Sequence, residues 1–151
     1  MFQFEADFVE SLRCIPMQVR MKLDTCGVKL KLIHWNQFDL KTRETLVIMP
    51  CETEAESKTY RDYLQKLVIQ STGKPASTLP IDRNPPWLNE TEIPNTVGEK
   101  AREMDVSLSL EQWQSLTPDR RFALIKLSRP SHENKNFLPA MKEFGLLAEK
   151  I

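Results

Sequence analysis

The chain is poor in the residues that build specialised sites. Its four glycines are scattered over 151 residues, so there is no glycine-rich loop to cradle a phosphate, and Gly73-Lys-Pro-Ala does not fit a nucleotide-binding P-loop. Three cysteines, an odd number at irregular spacing, exclude a fully paired disulfide framework and fit a reducing compartment. Cys14, Cys26 and Cys51 with His34 could in principle offer four soft ligands. Their spacings, C-x11-C, C-x7-H and H-x16-C, match no zinc or cluster signature, in which two ligands usually lie about two to four residues apart. No metal site is expected. Charge of one sign is absent too: 21 basic side chains balance 21 acidic ones. Attraction to nucleic acid or to a membrane surface through bulk positive charge is thereby excluded, though not through a local patch. No apolar run approaches the ~18 residues of a membrane span. The amino terminus, Met1-Phe-Gln-Phe-Glu-Ala-Asp-Phe8, carries acids where a secretory signal would carry bases. The expectation is a soluble, cytoplasmic protein without catalytic residues or a bound cofactor.

What the chain does have is a repeat. Residues 15–46 recur without a gap 78 positions later, with Ile15-Pro16, Val19, Lys22, Val28, Leu30, Leu32, Trp35, Arg43 and Leu46 matching Ile93-Pro94, Val97, Lys100, Val106, Leu108, Leu110, Trp113, Arg121 and Leu124. These are ten identities in 32 aligned positions, where ordinary residue usage gives roughly two. The pattern reads as a tandem duplication, with a first repeat at about 12–70, a connector at about 71–92 and a second repeat at about 93–151. The connector holds Gly73, Pro75, Pro80 and Pro85-Pro86 and should be stiff. Each half would be marginal alone, so residues 1–151 are expected to form one domain.

Periodicity supplies the elements. Ile15, Val19, Leu23 and Cys26 are spaced as one face of a helix, as are Ile93, Val97, Ala101 and Met104. Pro16 and Pro94 suit a first turn, and Gly27 suits a left-handed C-cap that Asp105 cannot copy directly. Short helices around the tryptophans should present Leu32, Trp35 and Phe38, and Leu110, Trp113 and Leu116. Ser109 with Gln112 and Thr53 with Glu56 form capping boxes, and Asp39 and Thr117 open helices ending near Pro50 and Pro130. Tyr60, Leu64, Leu67 and Val68 make one apolar stripe; Phe137, Met141, Phe144 and Leu147 make its carboxyl-terminal counterpart, with Gly145 a candidate cap. Val28-Lys-Leu-Lys-Leu32 alternates like a strand but has no evident partner, so an extended connector is expected. The fold class is all-α, with about eight helices in two similar units of approximate internal symmetry.

Most chemically conspicuous residues occur in one copy only. Cys14, Cys26, Gly27, His34 and Cys51 face Glu92, Met104, Asp105, Gln112 and Arg129, so a specialised surface belongs to the first repeat. Candidate partner contacts are Arg13 and Arg20, which can pair with carboxylate or phosphate, together with Cys14, Met17 and the rigid aromatic Trp87. Trp87 could equally plug a seam between the repeats. The mixed run Glu5, Asp7, Glu10, Arg13, Arg20, Lys22 and Asp24 reads as a solvated face, and His132 as a water-facing helix start. Trp35 and Trp113 could line a pocket between the repeats, although a tryptophan present in both copies is more often core.

Phe2-Gln-Phe-Glu-Ala-Asp-Phe8, Leu12-Arg-Cys-Ile-Pro-Met-Gln-Val-Arg20, Lys22-Leu-Asp24, Cys26-Gly27, Trp35 and Pro50-Cys51 resemble the nitrate reductase-associated protein family of cyanobacteria over nearly the whole chain. The resemblance implies a small cytoplasmic accessory protein of nitrate assimilation, binding nitrate reductase or a protein that delivers its molybdenum cofactor. It implies no catalytic residues. Two other functions remain open: a carrier of the molybdenum cofactor or another small molecule in the pocket beside Trp35 and Trp113, and a thiol-dependent enzyme or redox sensor using Cys14, Cys26 or Cys51.

Overall fold

The computed structural model describes residues 2–5, 14–130 and 135–147. Asp7, Glu10, Arg13 and His132, singled out above, lie outside the described residues. The chain divides into two compact units, Met1–Arg83 and Asn84–Ile151, with the division inside the Pro-rich stretch. Among the described residues the fold is mostly helical, with eight α-helices and one two-stranded sheet.

In the first unit a 3-10 turn at Gln3–Glu5 precedes helix α1, Met17–Cys26. Pro16 is the N-cap of α1 rather than its first turn, and it offers no capping side chain. The Glu5 carboxyl does that work from a distance by accepting the Met17 N–H at 3.0 Å, an acceptor placed on the positive end of a helix. The expectation of a solvated face therefore fails at Glu5, which is 2% exposed. Ile15, Val19, Leu23 and Cys26 are all buried, as their spacing predicts. Gly27 closes α1 in the left-handed conformation, φ 76°, and its N–H returns to the Leu23 carbonyl at 2.9 Å.

The stretch beginning at Val28 is a true strand. β1, Val28–Lys29, pairs antiparallel with β2, Ser77–Thr78, in the register Val28 to Thr78 and Lys29 to Ser77. The partner is not evident in the sequence because it lies beyond the long helix that follows, outside the repeated segment. The Gln65 side chain holds this return in place by bonding both the N–H and the carbonyl of Ala76, at 2.7 and 3.0 Å.

Helix α2, Leu32–Gln37, runs into α3, Leu40–Ile48, whose N-cap Asp39 accepts from the Thr42 N–H at 2.7 Å. Arg43 donates to the carbonyls of Trp35 and Asn36 at the end of α2, at 3.1 and 3.0 Å. Trp35 and Phe38 are buried and meet edge to face, whereas Leu32 is exposed, contrary to its expected place on the inner face. Helix α4, Glu54–Thr72, opens on the predicted Thr53 and Glu56 capping box and stops at left-handed Gly73. Its Tyr60, Leu64 and Val68 join Val19, Leu23, Cys26, Trp35, Leu46 and Cys51 in one hydrophobic core, with Leu67 packed partly against it.

The second unit begins with a 3-10 turn, Pro86–Leu88, and helix α5, Asn95–Glu103, which starts at the N-cap Pro94. The end of α5 is closer to that of α1 than the sequence suggests. Asp105 itself adopts a positive φ of 56°, and Val106 N–H reaches back to the Ala101 carbonyl at 2.8 Å; a short polar side chain tolerates this conformation better than most. Helix α6, Leu110–Ser115, carries the predicted Ser109 and Gln112 capping box, with Trp113 buried and Leu110 exposed. Helix α7, Pro118–Ser128, follows Thr117 with Pro118 at its first position. It buries Arg121, Phe122, Ala123, Leu124, Ile125 and Leu127, side chains that cover nearly every face of the helix. Helix α8, Phe137–Glu143, buries Phe137, Ala140 and Met141. Gly145, φ 73°, caps it and turns Leu146 inward, so Leu146 rather than Leu147 completes the stripe.

Candidate functional site

The strongest gathering of chemically able side chains lies in the first unit, where the end of α1 meets the loop between α3 and α4. Cys26, the last residue of α1, is 1% exposed, and Cys51, just ahead of the Thr53 cap, is 5% exposed. Their sulfurs rest against successive carbonyls of α1: Cys51 Sγ lies 3.7 Å from the Lys22 oxygen and Cys26 Sγ 3.8 Å from the Leu23 oxygen. Each thiol donates to its own carbonyl, Cys26 to Leu23 and Cys51 to Lys22, and the two side chains are near enough to act on each other's ionisation. Both thiols are free, as is the half-buried Cys14.

Lys22 completes the group. Its ammonium donates to the Val47 and Met49 carbonyls at 2.5 and 2.7 Å, satisfying orphan acceptors at the end of α3. It also stands 5.8 Å from the centre of the Tyr60 ring, while the Tyr60 hydroxyl donates to the Leu46 carbonyl at 2.8 Å. Partial burial lowers the Lys22 pKa, with the Cys51 sulfur and Glu52 opposing that shift.

Electrostatics separate the two thiols. The neighbouring Cys26 thiol, the Ser57 hydroxyl and the Lys22 charge favour a Cys51 thiolate and pull its pKa below the usual thiol value, against burial and Glu56. Cys26 is pushed the other way, first by the neighbouring Cys51 side chain and then by burial. The Tyr60 hydroxyl is likewise raised by burial and by the neighbouring thiols, so it stays neutral. The arrangement can make one thiol nucleophilic while keeping its neighbour protonated.

The other expected site residues take different places. Met17 is buried and serves the core at the start of α1, which removes it from the surface as an adaptable contact. Arg20 donates to the Ile15 carbonyl at 2.9 Å and its charge faces Glu5. His34 is occupied as a cap: its Nδ1 accepts the Lys31 N–H at 3.2 Å, and burial with the Lys31 charge lowers its pKa. Trp87 is half-buried against Phe122, with ring centres 5.0 Å apart, and its carbonyl accepts from Arg121 at 3.0 Å. Trp35 and Trp113 are each fully buried in the unit that contains them, and the Trp113 indole donates to the Asn89 carbonyl at 2.8 Å. Among the described residues no group of three or more His, Cys, Asp or Glu could hold a metal ion, and no helix is long and apolar enough to cross a membrane.

Sequence reasoning misses Lys22, Ser57, Tyr60 and Glu5 as members of any site. The signal for Lys22 is present, since it recurs as Lys100 in the repeat, but recurrence points to packing. A second signal is the Thr53 cap, which fixes Cys51 in the turn just before α4.

A family model described as "Conserved nitrate reductase-associated protein" matches residues 1–144. No curated protein and no solved structure matches the chain.

Proposed function

The chain belongs to the conserved nitrate reductase-associated protein family, and from that premise we propose that it is a non-enzymatic accessory protein that supports maturation or activity of assimilatory nitrate reductase by binding it or a protein delivering its molybdenum cofactor. The observation that carries the binding role is a set of large apolar side chains left in water on two consecutive short helices of the first unit. Leu32 and Ile33 on α2 and Leu40 and Ile48 on α3 are exposed, Ile33 at 62% and Ile48 at 80%. Isolated exposed aliphatics are ordinary, but a succession on adjoining elements suits a partner surface. The test is capture of purified assimilatory nitrate reductase by the tagged protein, with reductase activity measured beside it. Ile33→Asp with Ile48→Asp should spare the helical fold, weaken capture and lower the activity gained. Undiminished capture and activity would remove this surface, and no capture by the unaltered protein would remove the binding role.

We also propose that the chain arose by tandem duplication. Supporting this, α2 and α6 start at Leu32 and Leu110 and α3 and α7 at Leu40 and Pro118, both at the offset of 78 that aligns the sequence. Arg43 and Arg121 both donate through Nε to a carbonyl near the end of the preceding helix. A crystal structure in which the backbone of residues 15–48 failed to superpose on 93–126 would overturn the proposal.

A further inference from the structure

We propose that Cys26 and Cys51 are a reversible dithiol and disulfide pair, in which Cys51 is the attacking sulfur and Cys26 the resolving one, with a hydroperoxide as oxidant. The proposal rests on the first unit alone and is independent of any partner. Its basis is that two free thiols from separate segments are buried in one core and rest against the successive Leu23 and Lys22 carbonyls of α1, at 3.8 and 3.7 Å, with a lysine ammonium beside them, not that one cysteine is present. Cys51 stands between exposed Pro50 and Glu52 in the turn before α4, so a small oxidant has a short approach to its sulfur. Cys26 lies deeper, at the end of α1. The nearby Lys22 ammonium is held by two carbonyls and can stabilise a thiolate without leaving its place.

In the first step the Cys51 thiolate attacks one peroxide oxygen. The S–O bond forms as the O–O bond breaks, the sulfur loses two electrons, and the departing hydroxide or alkoxide takes up a proton. In the second step Cys26 gives up its proton and its sulfur attacks the Cys51 sulfenic acid. The S–S bond forms, the S–O bond breaks, and the oxygen leaves as water. With hydrogen peroxide the sum is two thiols and one peroxide giving one disulfide and two waters. A dithiol reductant reverses the process by exchange, becoming a disulfide itself. The product would tie the end of α1 to the turn before α4, across Lys22.

The experiment treats the full-length reduced protein with a slight excess of hydrogen peroxide, blocks remaining thiols with an alkylating agent, and maps the peptides by mass spectrometry. The expected product links Cys26 to Cys51, leaves Cys14 alkylated, and returns to the free dithiol on adding dithiothreitol. Before oxidation, alkylation at neutral pH should be at least about tenfold faster at Cys51 than at Cys26. In Cys26→Ser oxidation should stop at a Cys51 sulfenic acid that dimedone traps, whereas Cys51→Ser should leave Cys26 unmodified. Linkage through Cys14, or no linkage at peroxide levels that oxidise Cys14, overturns the proposal in the unaltered protein without reference to any variant. A sulfenic acid on Cys26 in Cys51→Ser, formed as fast as that on Cys51 in Cys26→Ser, overturns the assigned order.

Discussion

Replacing Arg121 should unsettle the second unit far more than replacing its counterpart Arg43 unsettles the first. Arg121 is buried, and it donates twice to the Leu116 carbonyl, at 3.2 and 2.9 Å, and once to the Trp87 carbonyl at 3.0 Å, with Glu90 at 3.5 Å beside it. Removing the guanidinium strands two acceptors. The Leu116 oxygen lies in a buried setting and should cost about 3 kcal/mol, and the partly wet Trp87 oxygen about 1 kcal/mol more. The sum of about 4 kcal/mol corresponds to a fall in Tm of roughly 8–16 °C for a chain of this size. Arg43 makes comparable bonds to Trp35 and Asn36, but it is half-buried and the Asn36 bond is exposed, so water can replace part of what is lost. Its removal should cost about 1–2 kcal/mol. Methionine is the informative replacement at both positions because it keeps the aliphatic volume and deletes the donors. Urea and thermal unfolding, followed by far-ultraviolet circular dichroism and tryptophan fluorescence, measure both variants. If Arg121→Met lies within about 1 kcal/mol of the unaltered protein, or Arg43→Met is as damaging, then the stranded carbonyls do not set the stability and the reasoning fails.

Gly27→Ala should cost about 3 kcal/mol or more in urea unfolding, because a Cβ at φ 76° would stand 2.8 Å from both the Leu79 carbonyl oxygen and Ile81 Cγ1; Gly73→Ala, with φ 80° and nothing within 4 Å, should cost only about 1–2 kcal/mol. Equal losses at the two glycines would show that close approach at Gly27 is immaterial. Thr53→Ala should weaken α4 by about 1 kcal/mol, and restoring an acceptor with Thr53→Ser should recover most of it; a silent alanine would mean that the capping box is dispensable. Burial raises the Glu5 pKa above 4.5, partly opposed by the Met17 and Phe2 N–H groups and by Arg20. The native state therefore holds its proton to higher pH than the unfolded chain, and the associated stability is complete below pH 4.5 and lost as pH rises through the folded-state value. In Glu5→Gln that loss should vanish, so melting curves of the two proteins should converge in acid and part toward neutral pH. Parallel pH profiles would refute the role assigned to burial.

What can be read from the sequence is what the chain settles locally. Both capping boxes, the Asp39 cap, Pro118 at a helix start and the left-handed Gly27 require partners within a few residues, and each is found in place. The apolar stripes are legible for the same reason, down to Tyr60, Leu64 and Val68 on one face of α4. Failures begin where the partner is remote. Val28 pairs with Thr78 across the whole of α3 and α4, and Met17 is buried where its N–H meets the Glu5 carboxyl, twelve residues away. Leu32 and Leu110 satisfy the helical period yet face water, because a two-turn helix has room to bury little beyond its tryptophan.

The same limit explains why the thiol pair is invisible as a pair while its separate cysteines are conspicuous. Cys26 ends a helix and Cys51 precedes another, so their meeting depends on how α1, α3 and α4 pack, and not on any spacing between them. The lysine that recurs in the two aligned segments sharpens the point. Lys22 and Lys100 occupy matching positions, but half-buried Lys22 spans two carbonyls at the end of α3 whereas buried Lys100 pairs with Glu103 at 3.4 Å on its own helix. Matching positions in the sequence thus leave the two ammonium groups in different company. The carbonyl-bound Lys22 is instead particular to the unit in which Pro50-Cys51 ends the preceding helix, and the position matching Cys51 holds Arg129. Lysine at this position therefore supplies a positive charge in both units, half-buried in the first and buried in the second, and the cysteines decide that in the first unit the charge stands beside a thiol.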